Sequence, residues 1–313
     1  MIITNPFAIV APTADEGDAA TRRAPTALSF GPHDPLYGTG VGADIRTWIA
    51  QGVHPLAAIT RVEARNTQKL QGVLQMPTEA VQRQWEAVRG DTLIDAVKTG
   101  LLGDARMTQA VGDLMRAARS EASVGRWVCD PEWIARSGEQ RVEQAVMAVS
   151  RTHLLPYADV IVVNCYEAEL LTERRVGDRG SIRDALMAIY DLGGGAAVIK
   201  GPPEERHAID YVYDGSGVVE FGRDRLRHAP KLGRGAIFSA AITGRLSHGD
   251  DVLSAVEQAK EAINAALAVS VRVGEGEQPA HALAPLYTAA GKAINTRDRS
   301  EDTTDERGPD EVL

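Results

Sequence analysis

The chain has 313 residues, of which 44% are hydrophobic and 25% charged, enough to bury a full core. Its formal charge of −9 argues against nucleic acid or anionic lipid as the main partner. Aromatic residues make up only 5% while Gly (30) and Ala are plentiful, which suits close helix-on-sheet packing and favours an α/β class over a β-sandwich.

The first residues, MIITNPFAIVAPTADEGD, lack the basic start, apolar run and cleavage site of a signal peptide, and no stretch approaches the length of a membrane span. A cytoplasmic protein with no membrane or nucleic-acid partner is expected. Cys129 and Cys165 have no second Cys or His at metal-ligand spacing, so both are expected as reduced, buried thiols.

In chain order, residues 1–26 read as an extension with one candidate strand over 2–10, followed by Asp15, Glu16 and Asp18. Short apolar runs then predict strands at 27–30, 56–60, 95–98, 126–130, 160–164, 196–200 and 209–213. Amphipathic stretches predict helices at 42–51, 78–89, 104–119, 139–153, 181–192, 236–247 and 250–272. This alternation predicts a single domain over 27–293, a doubly wound, mostly parallel sheet with helices on both faces. An acidic tail over 294–313 has no apolar periodicity and is expected to be disordered.

The most informative segment is Lys231-Leu-Gly-Arg-Gly-Ala-Ile-Phe-Ser-Ala-Ala-Ile-Thr-Gly244, with Gly233 and Gly235 where a helix must begin. Glycines there let backbone N–H groups turn toward an anion, and the helix dipole adds to the attraction. A plain glycine turn before a core helix reads equally well from this segment alone.

Six further segments accompany it: Ala27 to Asp44 (ALSFGPHDPLYGTGVGAD), Ile59 to Gly72 (ITRVEARNTQKLQG), Val97 to Gly103 (VKTGLLG), Val128 to Gly138 (VCDPEWIARSG), Asp159 to Thr172 (DVIVVNCYEAELLT) and Val198 to Gly201 (VIKG). In order and spacing the set resembles the hydroxymethylpyrimidine/phosphomethylpyrimidine kinases of the ribokinase superfamily, from about Ala27 to Val273. The resemblance implies a ribokinase-like three-layer αβα fold. It also implies transfer of the ATP γ-phosphoryl group to the hydroxymethyl group, or its phosphate, of a pyrimidine such as 4-amino-5-hydroxymethyl-2-methylpyrimidine, in thiamine biosynthesis or salvage. A homodimer is a further expectation from the resemblance.

By the same resemblance, the amides of Gly233, Arg234, Gly235 and Ala236 form an anion hole. Asn164, Lys200 and Gly201 lie near the nucleotide, and Asp130 with Glu167 holds Mg²⁺ and its waters. Asp34, Gly38 and Gly40 belong to the loop that cups the substrate, with Arg65, Asn66, Lys98, Glu132 and Trp133 also on the substrate side. Plainer readings stand beside these: Glu167 as a helix-dipole partner, Lys200 as a strand-end surface residue, Trp133 as ordinary packing.

Several positions depart from the family. Ala236 stands where the family places a proton acceptor, and a methyl group takes no proton; the missing base is worth about 10²–10⁴ in rate. Proton removal would then fall to water or another carboxylate, with Asp34 and Glu132 nearest by segment. Arg234 replaces a small or hydroxylic residue, either to brace a phosphate or to occupy its space. Arg65 replaces a pyrimidine-reading glutamine, and since arginine only donates it suits an acceptor-rich or anionic ligand unless Glu63 or Asp34 neutralises it. Two alternatives to the pyrimidine kinase follow: a catalytically impaired ligand-binding or regulatory homologue, and a kinase of a related heterocycle such as pyridoxal or of another small alcohol.

Overall fold

A computed structural model describes residues 23–135, 138–202, 207–226, 229–230, 232–269 and 272–289. The candidate strand over 2–10 and the acidic tail lie outside these residues. In chain order the strands are β1 (Thr26–His33), β2 (His54–Arg65), β3 (Leu70–Gln75), β4 (Ile94–Thr99), β5 (Val124–Cys129), β6 (Val160–Asn164), β7 (Ala197–Lys200), β8 (His207–Tyr213) and β9 (Val218–Asp224). The helices are α1 (Gly40–Ala50), α2 (Thr78–Arg89), α3 (Ala105–Ser120), α4 (Gln144–His153), α5 (Cys165–Thr172), α6 (Arg179–Tyr190), α7 (Arg234–Ser247), α8 (Val252–Ala268) and α9 (Ala284–Ala289).

The five residues of β6, Val-Ile-Val-Val-Asn, are all buried, as in a strand covered on both faces. Alternate side chains serve opposite layers: Ile161 and Val163 join the core with α2 to α6, while Val160 and Val162 join the core with α1, α7 and α8. The same split holds along β5, where Trp127 and Cys129 face one layer and Val128 the other. Both cysteines are buried thiols outside any disulfide, and burial pushes the Cys129 thiol up to about 12.

The described strands form one nine-stranded sheet in the order β3-β2-β1-β4-β5-β6-β7-β8-β9. Strands β2, β1, β4, β5, β6 and β7 run parallel, and the edges are antiparallel. The expected doubly wound, mostly parallel sheet is thus borne out, with antiparallel strands at its edges. The run at 209–213 belongs to antiparallel β8, because its link from β7 is far too short for a parallel crossover. Strands β3 and β9 escape sequence reading because β3 is exposed along almost its whole length and β9 has no fully buried residue. The helix predicted over 139–153 begins only at Gln144, since Gln140 forms a bridge with Ile134 instead. The last long helix stops at Ala268, short of 272. No helix among the described residues is long and apolar enough to cross a membrane.

Strand order reverses between β1 and β4, so the loops after these strands diverge and leave a crevice at the carboxyl ends of the sheet.

Candidate active site

Helix α7 opens this crevice. Gly233, its N-cap, has φ 85°, a left-handed backbone that suits glycine. A Cβ there would also lie 1.9 Å from the Gly38 carbonyl oxygen, so the turn and the substrate loop pack backbone to backbone. The first intrahelical bond runs from Ile237 N–H to Gly233 O, which leaves the Gly235 and Ala236 amides with no helical carbonyl before them. They front a cavity of about 480 Å³ walled by Thr39, Glu132, Arg141, Glu167, Lys200 and Glu277, among others.

Lys200 ends β7 at this turn. A Cβ on Gly235 would be 3.5 Å from its Nζ, and the ammonium pairs with Asp130 Oδ1 at 2.8 Å. Burial alone would lower its pKa; Asp130, Glu167 and Glu132 outweigh that and hold it above the ordinary lysine value. The other Asp130 oxygen, Oδ2, is buried without a hydrogen-bond partner.

Asn164 and Glu167 begin α5 as a reciprocal capping box, with Asn164 Oδ1 accepting from Glu167 N–H and Glu167 Oε2 accepting from Asn164 N–H. Both side chains also reach the loop after β5: Asn164 Nδ2 donates to Ile134 O at 2.8 Å, and Ile134 N–H donates to Glu167 Oε1 at 3.2 Å. Burial pushes the Glu167 carboxyl up to about 7 against the pull of Lys200. In the same loop Glu132 adopts a left-handed φ of 52° and pairs through Oε2 with Arg141 Nη1 at 3.1 Å. Burial raises its pKa, and neighbouring Asp130 raises it further.

The structure thus gathers Glu132, Asn164, Glu167, Lys200, Gly233, Arg234, Gly235 and Ala236 around one cavity. A second cavity of about 70 Å³ shares Lys200, Arg225, Arg234 and Gly235 with it and adds Leu226, Phe238, Ile263, Asn264 and Leu267. Arg234 does not stand open between the glycines; its guanidinium donates to the carbonyls of Ala229 and Pro230 and pins the chain that leads into α7.

Other expected site residues take supporting places. Trp133 is 1% exposed within the core, so packing and not ligand stacking is its role. Asn66 Oδ1 accepts from Gln68 and Lys69 N–H and shapes the β2–β3 turn. Lys98 is buried in an ion pair with Asp44 at 2.7 Å, beneath the site and not on its wall. Asp34 is equally unavailable as a base, since its oxygens accept from Leu36 N–H, Thr39 N–H and the Thr39 hydroxyl. Gly38 packs under Leu232 and Pro279, Gly40 has φ 55°, and a Cβ on Gly201 would lie 1.8 Å from Ile209 O; these three set loop geometry. Arg65 reaches Thr39 Oγ1 and Glu63 Oε2, both at 3.4 Å, and Glu63 also pairs with Arg61, so the neutralisation anticipated from Glu63 is present.

Sequence reading missed Thr39, Arg141, Arg225 and Glu277 on the cavity wall. Glu277 arrives from far along the chain, its N–H bonded to Thr67 O at 2.7 Å. Arg141 was hidden inside a predicted helix that starts later. A family model described as phosphomethylpyrimidine kinase matches residues 34–281, spanning all of these elements.

The chain belongs to the phosphomethylpyrimidine kinase family. It is 32% identical over 255 residues to the hydroxymethylpyrimidine/phosphomethylpyrimidine kinase of Streptomyces coelicolor, covering 82% of this chain and 93% of that one. It is 34% identical over 259 residues to the enzyme of that name from Haemophilus influenzae, covering 80% and 94%. Among solved structures it resembles the ADP complex of Bacillus subtilis pyridoxal kinase, with a TM-score of 0.76, 25% identity, and 84% and 100% of the two chains covered. The family expected from the sequence motifs and the ribokinase-like fold are thus both borne out.

Proposed function

We propose that the protein is an ATP-dependent kinase that phosphorylates a heterocyclic hydroxymethyl compound or its phosphate, a pyrimidine of the kind named in its relatives. The observation that carries this reading is the α7 amide turn fronting the cavity beside the charged Lys200. Phosphoryl transfer asks mainly for positioning and charge stabilisation, and this turn with its neighbouring ammonium supplies both. The nucleoside would lie against the mouth of the smaller cavity, where Leu226, Ile263 and Leu267 offer apolar surface and Asn264 a polar edge. Its phosphates would then cross at Lys200 and Gly235, which both cavities share.

The donor set fits a Mg²⁺ ion held chiefly by phosphates and water. Asp130 Oδ2 is an unpartnered buried carboxylate oxygen, and no trio of His, Cys, Asp or Glu converges as ligands among the described residues. Mg²⁺ there would neutralise charge on the phosphates. Each Glu167 oxygen already accepts a backbone N–H, so its part is to fix the 131–135 loop and to meet the ion's waters at most. We further infer a cytoplasmic enzyme with its kinase domain over 27–293, an N-terminal extension and an acidic tail.

Ala236 favours a second reading, a homologue that binds these ligands without turnover, because the turn lacks a side-chain base. Acceptor-dependent ADP release with the hydroxymethylpyrimidine, its monophosphate and pyridoxal separates the two. The kinase reading expects turnover above the acceptor-free background with at least one compound, reduced about 10²-fold or more in Lys200→Met. Thermal stabilisation by ATP with no ADP release from any acceptor would favour the binder.

A further inference from the structure

Behind the loop that follows β5 lies a separate opening, a cavity of about 400 Å³ on the outward face of α5. Its floor is one helical stripe: Tyr166, Glu169, Leu170 and Glu173 recur at three- and four-residue spacing, while Cys165, Glu167, Ala168 and Leu171 turn into the core. Tyr166 is 37% and Leu170 40% exposed, so two large side chains one turn apart leave apolar surface uncovered. One wall is the loop after β5, where a Cβ on Gly138 would lie 3.6 Å from Tyr166 Cζ. The other is the turn after α5, which carries Arg174 and Arg175.

That turn is braced on both sides of the arginines. Glu173 closes the helix in a left-handed conformation, φ 56°, which residues other than glycine and asparagine seldom take. Arg151 donates to the Leu170 and Leu171 carbonyls, and Val176 N–H donates to Glu169 Oε1 at 2.9 Å. Among the described residues Arg174 and Arg175 have no ion-pair partner, and two guanidinium groups without a carboxylate of their own offer paired N–H donors to an oxyanion. The Glu169 and Glu173 carboxylates on the floor offset that charge, so a bare anion gains little here, whereas a ligand that also carries an amino donor meets both. A planar ring completes the match, because it covers the apolar surface of Tyr166 and Leu170.

The cavity shares a wall with the one at α7. Ile134 lines both, its N–H donating to Glu167 Oε1 at 3.2 Å and its carbonyl accepting from Asn164 Nδ2 at 2.8 Å. An occupant held between α5 and this loop therefore fixes the segment to which the Asn164 and Glu167 side chains are bonded.

We propose that the α5 cavity binds a small aromatic ligand carrying both an amino group and an oxyanion, apart from the α7 turn, and that its occupancy holds the loop at Ile134 against Asn164 and Glu167. Such binding involves no catalytic step and stands independently of the kinase reading.

The probes are 4-aminobenzoate and 4-aminophenyl phosphate, a carboxylate and a phosphate on the same ring, each titrated calorimetrically into the full chain with ¹⁵N–¹H spectra recorded in parallel. At least one is expected to bind saturably with Kd below about 1 mM. Aniline and inorganic phosphate, each lacking half of the match, bind about tenfold or more weakly. The amides of Leu170 and Arg175 and the Asn164 side-chain NH₂ shift together, while the amides of Gly235 and Ala236 stay in place. Arg174→Gln combined with Arg175→Gln weakens binding about tenfold or more, Tyr166→Ala about threefold, and Lys200→Met leaves it unchanged. No saturable binding of either probe, binding indifferent to the arginine pair, or shifts confined to Gly235 and Ala236 overturns the site. An unmoved Asn164 side chain overturns its link to the large cavity.

Discussion

On the side of the cavity that carries α5, the end of β7 and the α7 turn, side chains are fastened to one another and to backbone. Asn164 and Glu167 close a capping box and tie into the loop at Ile134, Lys200 is held by Asp130, and Gly233 lies against Gly38 O. On the opposite side the fastening is looser: Arg65, which reaches the wall residue Thr39, makes two long contacts of 3.4 Å, and Arg141 is anchored through one guanidinium nitrogen. The first wall has little freedom to change chemistry without losing structure. The second includes Arg65, one of the departures from the family, where a changed residue bears less on whether the chain folds.

The largest expected effect tests the interlocked wall. Gly233→Ala places a Cβ 1.9 Å from Gly38 O at a backbone φ of 85°, so the turn must shift. Loss of about 10²–10³ in turnover is expected, with about 1–3 kcal/mol of stability, read by ADP release and by denaturant unfolding. Near-normal turnover would mean that the amides do not need this geometry.

Next comes the floor beneath both walls. Lys98 and Asp44 are each 1% exposed, and Lys98→Met would strand a buried carboxylate at a cost of about 3–5 kcal/mol in urea unfolding. A cost under about 1 kcal/mol would show that the pair relaxes into solvent.

Glu167 gives a pH-dependent test. Its carboxyl sits at about 7 in the fold because burial outweighs the attraction of Lys200, well above the value of a free glutamate. The native state therefore binds the extra proton across this interval. Its contribution to stability is fully present below about 4.3 and is lost as pH rises through 7, up to about 3 kcal/mol in all. Glu167→Gln should flatten that part of the stability-versus-pH curve, and an unchanged slope would place the group elsewhere in its titration.

The smallest effect belongs to the open wall. Arg65→Gln leaves Glu63 paired with Arg61, so a stability change within about 1 kcal/mol is expected alongside a changed acceptor KM. A larger loss of stability would mean that Arg65 is as much part of the frame as Lys200.

What the sequence made legible follows the same division. Strands such as β6 were readable because every residue is buried, and the turn into α7 because backbone geometry demands glycine at Gly233. Edge strands β3 and β9 carry too little buried surface to impress a pattern. Trp133 and Asn66 were placed on the substrate side by the position of their segments, yet one fills core volume and the other closes a turn. Glu277 and Arg141 escaped notice because each depends on where a loop folds back, through contacts with Thr67 and Glu132 that carry no local signature.

The claim on which the account rests is that nucleotide phosphates seat on the α7 amide turn. Its most direct test is the ¹⁵N–¹H spectrum of the full chain titrated with ATP and Mg²⁺. The amides of Gly235 and Ala236 should shift saturably with ATP, and more weakly in Lys200→Met. Saturable ATP binding that leaves those two amides unmoved would contradict it.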